Sequence, residues 1–391
     1  MSTAPQVDID VQEFWRDPYP ALARMRRETP IAFVPQFGST LLTRRDDIFV
    51  SEKRIDVFSS HQPAGLMNRL MGHNMMRKDG PAHMDERTAM FPSVSPKTVK
   101  GHWRALFQAH ADRILAELAP KGRADLCKDF ALPLSAECLK AITGLTNMRF
   151  EDMDAWSQAM IDGIANYTGD QAIEARCHAA TAGIDAAIDE RLPEVARSPD
   201  PSLLSVLVRS GMAIESVRAN IKLAISGGQN EPRDAIAGTI WALLGHPAQL
   251  AMMRDGRARW MQVFEEYARW IAPIGMSPRR IAKPHTINGI ELAPEDRVFL
   301  MFGSANRDEA HFANPDAFDV TRDTSKSIAF GAGPHYCAGA FASRSIVADV
   351  ALPSIFAALP GLRLDKREPV RIGGWAFRGL LNLPVAWDIN V

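Results

Sequence analysis

A glycine-rich loop that ends in a cysteine constrains this chain more than any other feature of its 391 residues. The loop leads directly into a helix-compatible stretch, and it reads Phe330-Gly331-Ala332-Gly333-Pro334-His335-Tyr336-Cys337-Ala338-Gly339. Its glycines allow backbone conformations and close approaches that a side chain would forbid. Because a helix N-terminus stabilises negative charge, Cys337 stands where a thiolate is favoured. A thiolate held in a tight loop, with backbone N–H groups near the sulfur, is suited to be an iron ligand.

The alternative for this loop is a turn around a small buried cysteine, which is the common role of an isolated Gly-x-Cys. The chain has 4 cysteines, with no CxxC pair and no regular spacing, which argues against a zinc knuckle or a disulfide framework. With a formal net charge of -1, the chain does not have the composition of a nucleic-acid binder. The N-terminus lacks a targeting pattern and we find no uninterrupted apolar run, so we expect a cytoplasmic protein without a membrane anchor.

The spacing of apolar residues predicts a mainly α protein with small β-sheets. Residues 97–270 carry apolar side chains three and four positions apart, as helices do. Strand-like stretches are short and cover residues 31–42, 286–302 and 370–387. Proline and glycine clusters separate these segments without forming a linker, so we expect a single domain over residues 1–391.

The cysteine loop resembles the haem loop of the cytochrome P450 family, F-G-x-G-x-H-x-C-x-G. Every specified position matches, at Phe330, Gly331, Gly333, His335, Cys337 and Gly339. The resemblance implies the cytochrome P450 fold, a triangular helical prism in which haem b lies between a distal I helix and a proximal L helix. It also implies that Cys337 is the axial ligand of the haem iron and that Phe330, Gly331 and Gly339 contact the haem.

A further landmark of that family is an E-x-x-R pair, which Glu266 and Arg269 supply on a helical stretch. Spacing of three places both side chains on one helix face, so an exposed helix ion pair is the simpler interpretation. The resemblance instead implies a buried structural triad completed by a downstream arginine, Arg322.

Haem carries two propionates, and burying them requires cationic or hydrogen-bonding partners. The resemblance implies four such partners in this sequence, with a solvated surface charge as the alternative for each: His83, Arg87, Arg280 and His335.

The distal helix of the family corresponds to residues 223–234, and here the sequence departs from the usual pattern. Most members carry an acid followed by a threonine, which relay protons to bound oxygen, whereas this chain has Asn230 and Glu231. Pro232 follows paired glycines, so we expect the helix to open locally.

Glu231 has two interpretations. It points into the distal pocket, where desolvation raises its pKa and lets it deliver protons, or it pairs with a nearby base and only holds the break together. Gln229 and Asn230 are catalytic candidates beside it, or their amides satisfy backbone groups that the break frees.

Residues 229–232 resemble the branch that contains bacterial guaiacol and syringol O-demethylases, as does the turn at residues 374–379. The resemblance implies that a ferredoxin or a flavin/iron–sulfur reductase passes electrons from NAD(P)H, and that O2 is the oxidant. Hydrogen abstraction and oxygen rebound at a small methoxy- or alkoxy-aromatic substrate would then give O-dealkylation or hydroxylation. The candidate pocket residues are Ile225, Gly228, Met276, Ser277, Trp375 and Phe377.

Three other functions are open on sequence grounds. A peroxygenase would use hydrogen peroxide in place of O2 and electrons, with Glu231 assisting O–O cleavage. A haem-thiolate binding or sensing protein would bind ligands without turnover. The third alternative is a helical protein that binds no haem, and in that case the motifs would occur in their order by coincidence.

Overall fold

The computed structural model describes residues 2–166 and 169–389 of the chain. Its helices, in chain order, are α1 (Val11–Arg16), α2 (Tyr19–Glu28), α3 (Arg45–Ser51), α4 (Leu66–Met71), α5 (Gly80–Val94), α6 (Pro96–Thr98), α7 (Arg104–Leu118), α8 (Leu132–Thr143), α9 (Phe150–Ile164), α10 (Gln171–Arg197), α11 (Leu203–Arg209), α12 (Ile214–Ser226), α13 (Asn230–Gly245), α14 (Pro247–Arg254), α15 (Trp260–Ile271), α16 (Phe302–Ala305), α17 (Ala340–Arg344) and α18 (Leu352–Ala358). Its strands are β1 (Ile31–Val34), β2 (Ser39–Leu42), β3 (Phe58–Ser59), β4 (Arg123–Asp125), β5 (Ser277–Ile281), β6 (His285–Ile287), β7 (Ile290–Leu292), β8 (Arg297–Leu300), β9 (Arg363–Leu364), β10 (Arg371–Gly373), β11 (Gly379–Asn382) and β12 (Pro384–Ala386). The prediction of a mainly α protein with small sheets is confirmed.

The chain divides into two compact units. The first comprises Met1–Gln62, Ala237–Cys337 and Lys366–Leu383, and the second comprises Pro63–Ile236, Ala338–Asp365 and Pro384–Val391. Each unit is built from segments distant in sequence, so a linear boundary is not visible in the composition. A single domain over the whole chain remains a prediction.

A five-stranded sheet in the order β1-β2-β8-β5-β3 organises the first unit. Strands β2 and β8 run parallel, and the other neighbours are antiparallel. Successive side chains of a strand point to opposite faces, and here both faces are covered. Leu42 packs in one apolar cluster with Leu300, while Leu41 packs in another with Phe299. This explains why the strand segments read as continuous apolar runs.

The E-x-x-R pair of α15 is buried in the first unit, and neither the Glu266 nor the Arg269 side chain is exposed (0% each). Arg269 Nε donates to Glu266 Oε2 at 2.7 Å and Arg269 Nη2 to Oε1 at 2.8 Å, in a bidentate pair. Arg322 Nε donates to the same Oε1 at 3.1 Å. The exposed ion pair that spacing alone suggested is therefore not what forms.

Helices build most of the second unit. Helix α8 is buried on most of its sides, with Leu134, Cys138, Leu139 and Ile142 on one face and Pro133, Ser135, Ala136 and Thr143 beside it. Asp170 begins the longest helix, α10, by accepting N–H groups of Ala172 and Ile173 on its side chain. Strands β4, β12 and β9 form a small antiparallel sheet in the same unit.

One helical stretch differs from the expectation of no long apolar run. Among the described residues, Ala340–Ala358 is long and apolar enough to cross a membrane by length and composition, and 56% of its 18-residue window is buried inside the protein. A largely buried core helix passes the same test.

Candidate active site

The cysteine loop adopts the conformation that its glycines allow. Gly331 and Gly333 have φ angles of 75° and 66°, in the left-handed region that side chains disfavour. The N–H of Cys337 donates to the carbonyl of Phe330 at 2.9 Å, which closes the loop on itself. Cys337 is partly exposed and forms no disulfide. Helix α17 begins three residues later in the chain.

The remaining cysteines are poor thiolates. Cys127, Cys138 and Cys177 are all buried, and burial raises the pKa of each thiol above its ordinary value. For Cys177 burial raises the pKa to about 11. Because the thiolate is the form that binds a metal, these residues are unsuited to be iron ligands. Cys337 is therefore the candidate ligand among the cysteines.

The predicted propionate partners differ in what they already bind. His83 is buried (1% exposed) on α5, and Arg87, four positions on, is half-buried on the same helix. His335 is half-buried in the cysteine loop. Arg280, on β5, donates through Nε to the carbonyl of His61 at 2.8 Å and pairs with the exposed Glu295.

Arg279, the neighbour of Arg280, is the cation that the sequence reasoning passed over. Alternation along β5 buries Arg279 (3% exposed) and leaves Arg280 half-buried. The Nε of Arg279 is buried and has no hydrogen-bond partner within residues 2–166 and 169–389. Its other guanidinium nitrogens already bind Glu52 Oε1 at 2.5 Å, the hydroxyl of Ser277 and the carbonyl of Pro278, so the less buried Arg280 remains the propionate candidate of this strand. The period-two pattern of the strand was the signal that could have found it.

The distal helix opens between α12 and α13, at residues 227–229, as the paired glycines predict. Pro232 lies in the first turn of α13, where its missing N–H costs nothing, so it begins the second helix and does not interrupt the first. Two serines that the sequence did not single out donate to carbonyls at the break, and these carbonyls also accept the backbone N–H groups of Gln229 and Arg233. Ser157 Oγ donates to the carbonyl of Ile225 at 3.1 Å, and Ser135 Oγ donates to that of Gln229 at 2.8 Å.

Glu231 carries a buried carboxyl group at the start of α13. Neither carboxylate oxygen has a hydrogen-bond partner among the residues that the structure describes. Burial, with a smaller contribution from the charge of Asp234, raises the pKa of Glu231 to about 7 against the opposing effect of Arg233. The carboxyl group is thus held close to half-protonated at neutral pH.

Arg233, two positions from Glu231, does not pair with it, which argues against the second interpretation of Glu231. Arg233 Nη1 donates to Asp154 Oδ1 on α9 at 2.9 Å, and Arg233 Nε donates to Asp234 Oδ1 at 3.0 Å. These carboxylates raise the pKa of Arg233 against the effect of burial. The arginine is therefore engaged away from its neighbour.

The amides of Gln229 and Asn230 bind other helices and do not satisfy backbone groups of the break. Gln229 Nε2 donates to Asp154 Oδ1 at 2.9 Å and, at 3.4 Å, to the carbonyl of Leu132. Asn230 Nδ2 donates to Gln158 Oε1 at 3.4 Å. The interpretation that these amides satisfy backbone groups of the break is therefore corrected, because the carbonyls of Ile225 and Gln229 already accept the backbone N–H groups of Gln229 and Arg233.

Four of the predicted pocket residues lie together in the first unit. An antiparallel bridge joins Ile274 to Phe377, and the N–H of Gly275 donates to the carbonyl of Ala376 at 2.9 Å. This brings the segment of Met276 and Ser277 beside the turn that carries Trp375. Trp375 stacks on Phe37 with ring centroids 4.3 Å apart, so its indole contributes to the aromatic core.

The other two pocket candidates belong to the second unit. Ile225 is fully buried (0% exposed) at the end of α12, and Gly228 lies in the break itself.

Comparisons of the sequence with a family pattern and with known proteins point to the same family. The sequence pattern of the family described as cytochrome P450 matches residues 261–347, which include the E-x-x-R helix and the cysteine loop. Cytochrome P450 107B1 of Saccharopolyspora erythraea is 27% identical over 399 residues and covers 95% of both chains. The cytochrome P450 monooxygenase PikC of Streptomyces venezuelae is 28% identical over 408 residues, covering 99% of this chain and 95% of its own.

Solved structures support the same fold. The crystal structure of P450BioI in complex with an acyl carrier protein superimposes with a TM-score of 0.88 at 24% identity, covering 96% of this chain and 100% of the other. The ligand-free structure of cytochrome P450 TbtJ1 gives a TM-score of 0.84 at 25% identity, covering 94% of this chain and 96% of the other.

Proposed function

The chain belongs to the cytochrome P450 family and is a haem-thiolate monooxygenase with haem b as its cofactor, and on that premise we propose that it dealkylates a small methoxy- or alkoxy-substituted aromatic. The carboxyl group of Glu231 carries the proposal. It lies unpaired at a helix break whose sequence, residues 229–232, resembles that of aromatic O-demethylases. The relatives act on varied molecules, and one is named a vitamin D(3) 25-hydroxylase, so relationship alone does not select the substrate.

The residues of the chain fit a haem. Cys337 is a partly exposed thiol at a helix entrance, Gly331 and Gly333 give its loop the tight backbone shape, and both buried carboxylate oxygens of Glu231 lack partners among the described residues. We propose Cys337 as the iron ligand, with His83, Arg87, Arg280 and His335 as propionate partners. When bound, haem supplies the activation of O2 and the oxidation of a substrate carbon.

The protein contributes a proton donor and an electron-rich ligand. Near neutral pH a carboxyl oxygen of Glu231 holds a proton, which it can release where the acid–threonine pair of other members would act. With haem bound, the thiolate of Cys337 would donate electron density to the iron. Gln229 and Asn230 position the first turn of α13 through α9 and leave Glu231 unpaired.

The overall reaction balances as a monooxygenation. One oxygen atom of O2 enters a methyl C–H bond of the substrate and the other leaves as water, with two electrons and two protons consumed. The resulting hemiacetal collapses to a phenol and formaldehyde. We propose that electrons come from NAD(P)H through a ferredoxin or a flavin/iron–sulfur reductase and that the protein operates in the cytoplasm.

The first experiment is a titration of the purified ferric protein with methoxy- and alkoxy-aromatics, following the haem Soret band. We expect a saturable low-to-high-spin shift with one of them, and stoichiometric formaldehyde once reductase and NAD(P)H are added. The matched control is the same aromatic with a methyl group in place of methoxy, which cannot release formaldehyde. No shift across the series, with an intact thiolate spectrum, contradicts the aromatic substrate and leaves the monooxygenase assignment unchanged.

A peroxygenase is the second candidate, because an unpaired acid in place of the threonine suits peroxide cleavage as well. It predicts formaldehyde from hydrogen peroxide alone at a rate that reductase does not increase. Turnover that depends on reductase and NAD(P)H contradicts it.

A further inference from the structure

A buried acid, Glu52, lies against the cysteine loop although it is distant from the loop in sequence. It caps the C-terminal end of α3 in the first unit, and its side chain is 1% exposed. Glu52 Oε1 accepts a hydrogen bond from Arg279 Nη2 at 2.5 Å. Its other oxygen, Oε2, accepts the backbone N–H of Ala332 at 3.2 Å, inside the cysteine loop. One carboxylate therefore links a buried arginine to the loop that carries Cys337.

The loop glycines pack directly on this residue. A Cβ atom on Gly333 would lie 2.7 Å from the Glu52 carbonyl oxygen, a distance that real Cβ atoms do not show. A Cβ atom on Gly331 would lie 3.2 Å from Glu52 Oε2. Both glycines also have positive φ. The two glycines thus serve the approach of the loop to Glu52 as well as its backbone shape.

The charge on Arg279 has few other compensations. Its Nη1 donates to the hydroxyl of Ser277 at 2.5 Å and to the carbonyl of Pro278 at 2.9 Å, both neutral groups. The pair with Glu52 is 4% and 1% exposed, so water screens it little. Removing the carboxylate would leave a buried positive charge beside the loop.

We propose that Glu52 is a positioning residue that holds the cysteine loop and, by neutralising Arg279, sets the reduction potential of the haem iron. The inference rests on the proposed ligation by Cys337. A negative charge near a redox centre stabilises the oxidised form, and an uncompensated positive charge stabilises the reduced form. Loss of the Glu52 charge changes the pair from neutral to a net charge of +1 and therefore moves the potential in the positive direction.

The test compares Glu52→Gln with a matched control, Glu295→Gln. Glu295 pairs with the adjacent arginine, Arg280, on the same strand but is 71% exposed. We measure the haem reduction potential without substrate by spectroelectrochemistry, and the share of the CO complex with a thiolate-type Soret band. Glu52→Gln should raise the potential and reduce that share, Glu52→Asp should lie between it and wild type, and Glu295→Gln should match wild type.

If Glu52→Gln does not fold, a double variant still tests the proposal. Glu52→Gln/Arg279→Gln removes both charges, so it should fold and return the potential towards the wild-type value. An unchanged potential in Glu52→Gln, with only a lower unfolding midpoint, overturns the proposal and leaves Glu52 a structural residue. A double variant that keeps the full shift of Glu52→Gln overturns it as well. A wild-type protein without a thiolate-type Soret band contradicts Cys337 ligation instead, so the two failures are distinguishable.

Discussion

Glu231 shows how a single residue acquires a function from what surrounds it. An acid in the first turn of a helix is ordinary, because the helix dipole favours negative charge there. Here both carboxylate oxygens are buried without partners among the described residues, and Arg233, two positions away, is bound to Asp154 and Asp234. A buried acid with no paired base and a pKa of about 7 is suited to proton transfer near neutral pH.

Replacing Glu231 by Gln is expected to slow product formation by about 10²-fold or more, because an amide cannot release a proton. Burial raises the pKa of Glu231 to about 7, so the wild-type rate should fall as pH rises through about 7, and the variant should lack that inflection. The measurement is kcat against pH, with the exposed Glu215→Gln of α12 as control. A wild-type profile that the variant reproduces would falsify the role.

The same pKa makes a prediction about stability. Between pH 4.5, the ordinary pKa, and about 7, the unfolded chain binds fewer protons at Glu231 than the folded chain does. Stability therefore falls across this window as pH rises, by up to about 3 kcal/mol, and Glu231→Gln removes that loss. Free energies of unfolding in urea at about pH 5 and about pH 8 test this. The variant should gain relative to wild type at the higher pH, and an equal difference at both values contradicts the buried acid.

At the scale of the element, the two glycines at the break between α12 and α13 differ in how closely other atoms pack around them. A Cβ atom on Gly228 would lie 2.4 Å from the carbonyl oxygen of Ala224 and 3.0 Å from Leu139 Cδ1. On Gly227 it would meet only the Leu223 carbonyl oxygen, at 3.6 Å, within 4 Å. Because both positions are glycine, an alanine substitution at Gly227 is a matched control for the same substitution at Gly228.

We expect Gly228→Ala to destabilise the protein by about 1–3 kcal/mol, since backbone atoms must move to admit the methyl group. Gly227→Ala should change stability by about 0.5 kcal/mol or less. Urea unfolding of both variants, with the substrate-induced Soret shift as a second readout, checks this. Equal effects of the two substitutions would show that the break does not have the close packing described.

At the scale of the whole molecule, the buried triad fastens distant parts of the first unit. Arg269 donates to the carbonyls of Asn306, Pro315 and Ala317 while it pairs with Glu266. Each of these bonds joins α15 to the chain segment that leads to the cysteine loop. The triad therefore acts on the stability of the unit as a whole and does not contact the reacting atoms.

Replacing Glu266 by Gln should lower the free energy of unfolding by about 3–5 kcal/mol, because Arg269 and Arg322 lose their carboxylate partner. The control is Asp255→Asn, which removes an exposed pair with Arg257, 2.9 Å apart, and should cost about 0.5 kcal/mol or less. Unfolding free energy and the yield of haem-loaded protein are the readouts. A small effect of Glu266→Gln would show that the buried triad contributes no more to the free energy of unfolding than an exposed ion pair does.

The sequence by itself determined the helical character, the cysteine loop and the E-x-x-R pair, because each is encoded by residues adjacent or periodic along the chain. It also located the helix break, through the paired glycines before Pro232. The tertiary structure decided which charges meet. Glu52 and Arg279 are separated by 227 positions. Arg233 binds Asp154, which precedes it by 79 positions, and does not bind Glu231. A pattern along the chain records neither distance nor burial, and these set the strength of a charge interaction.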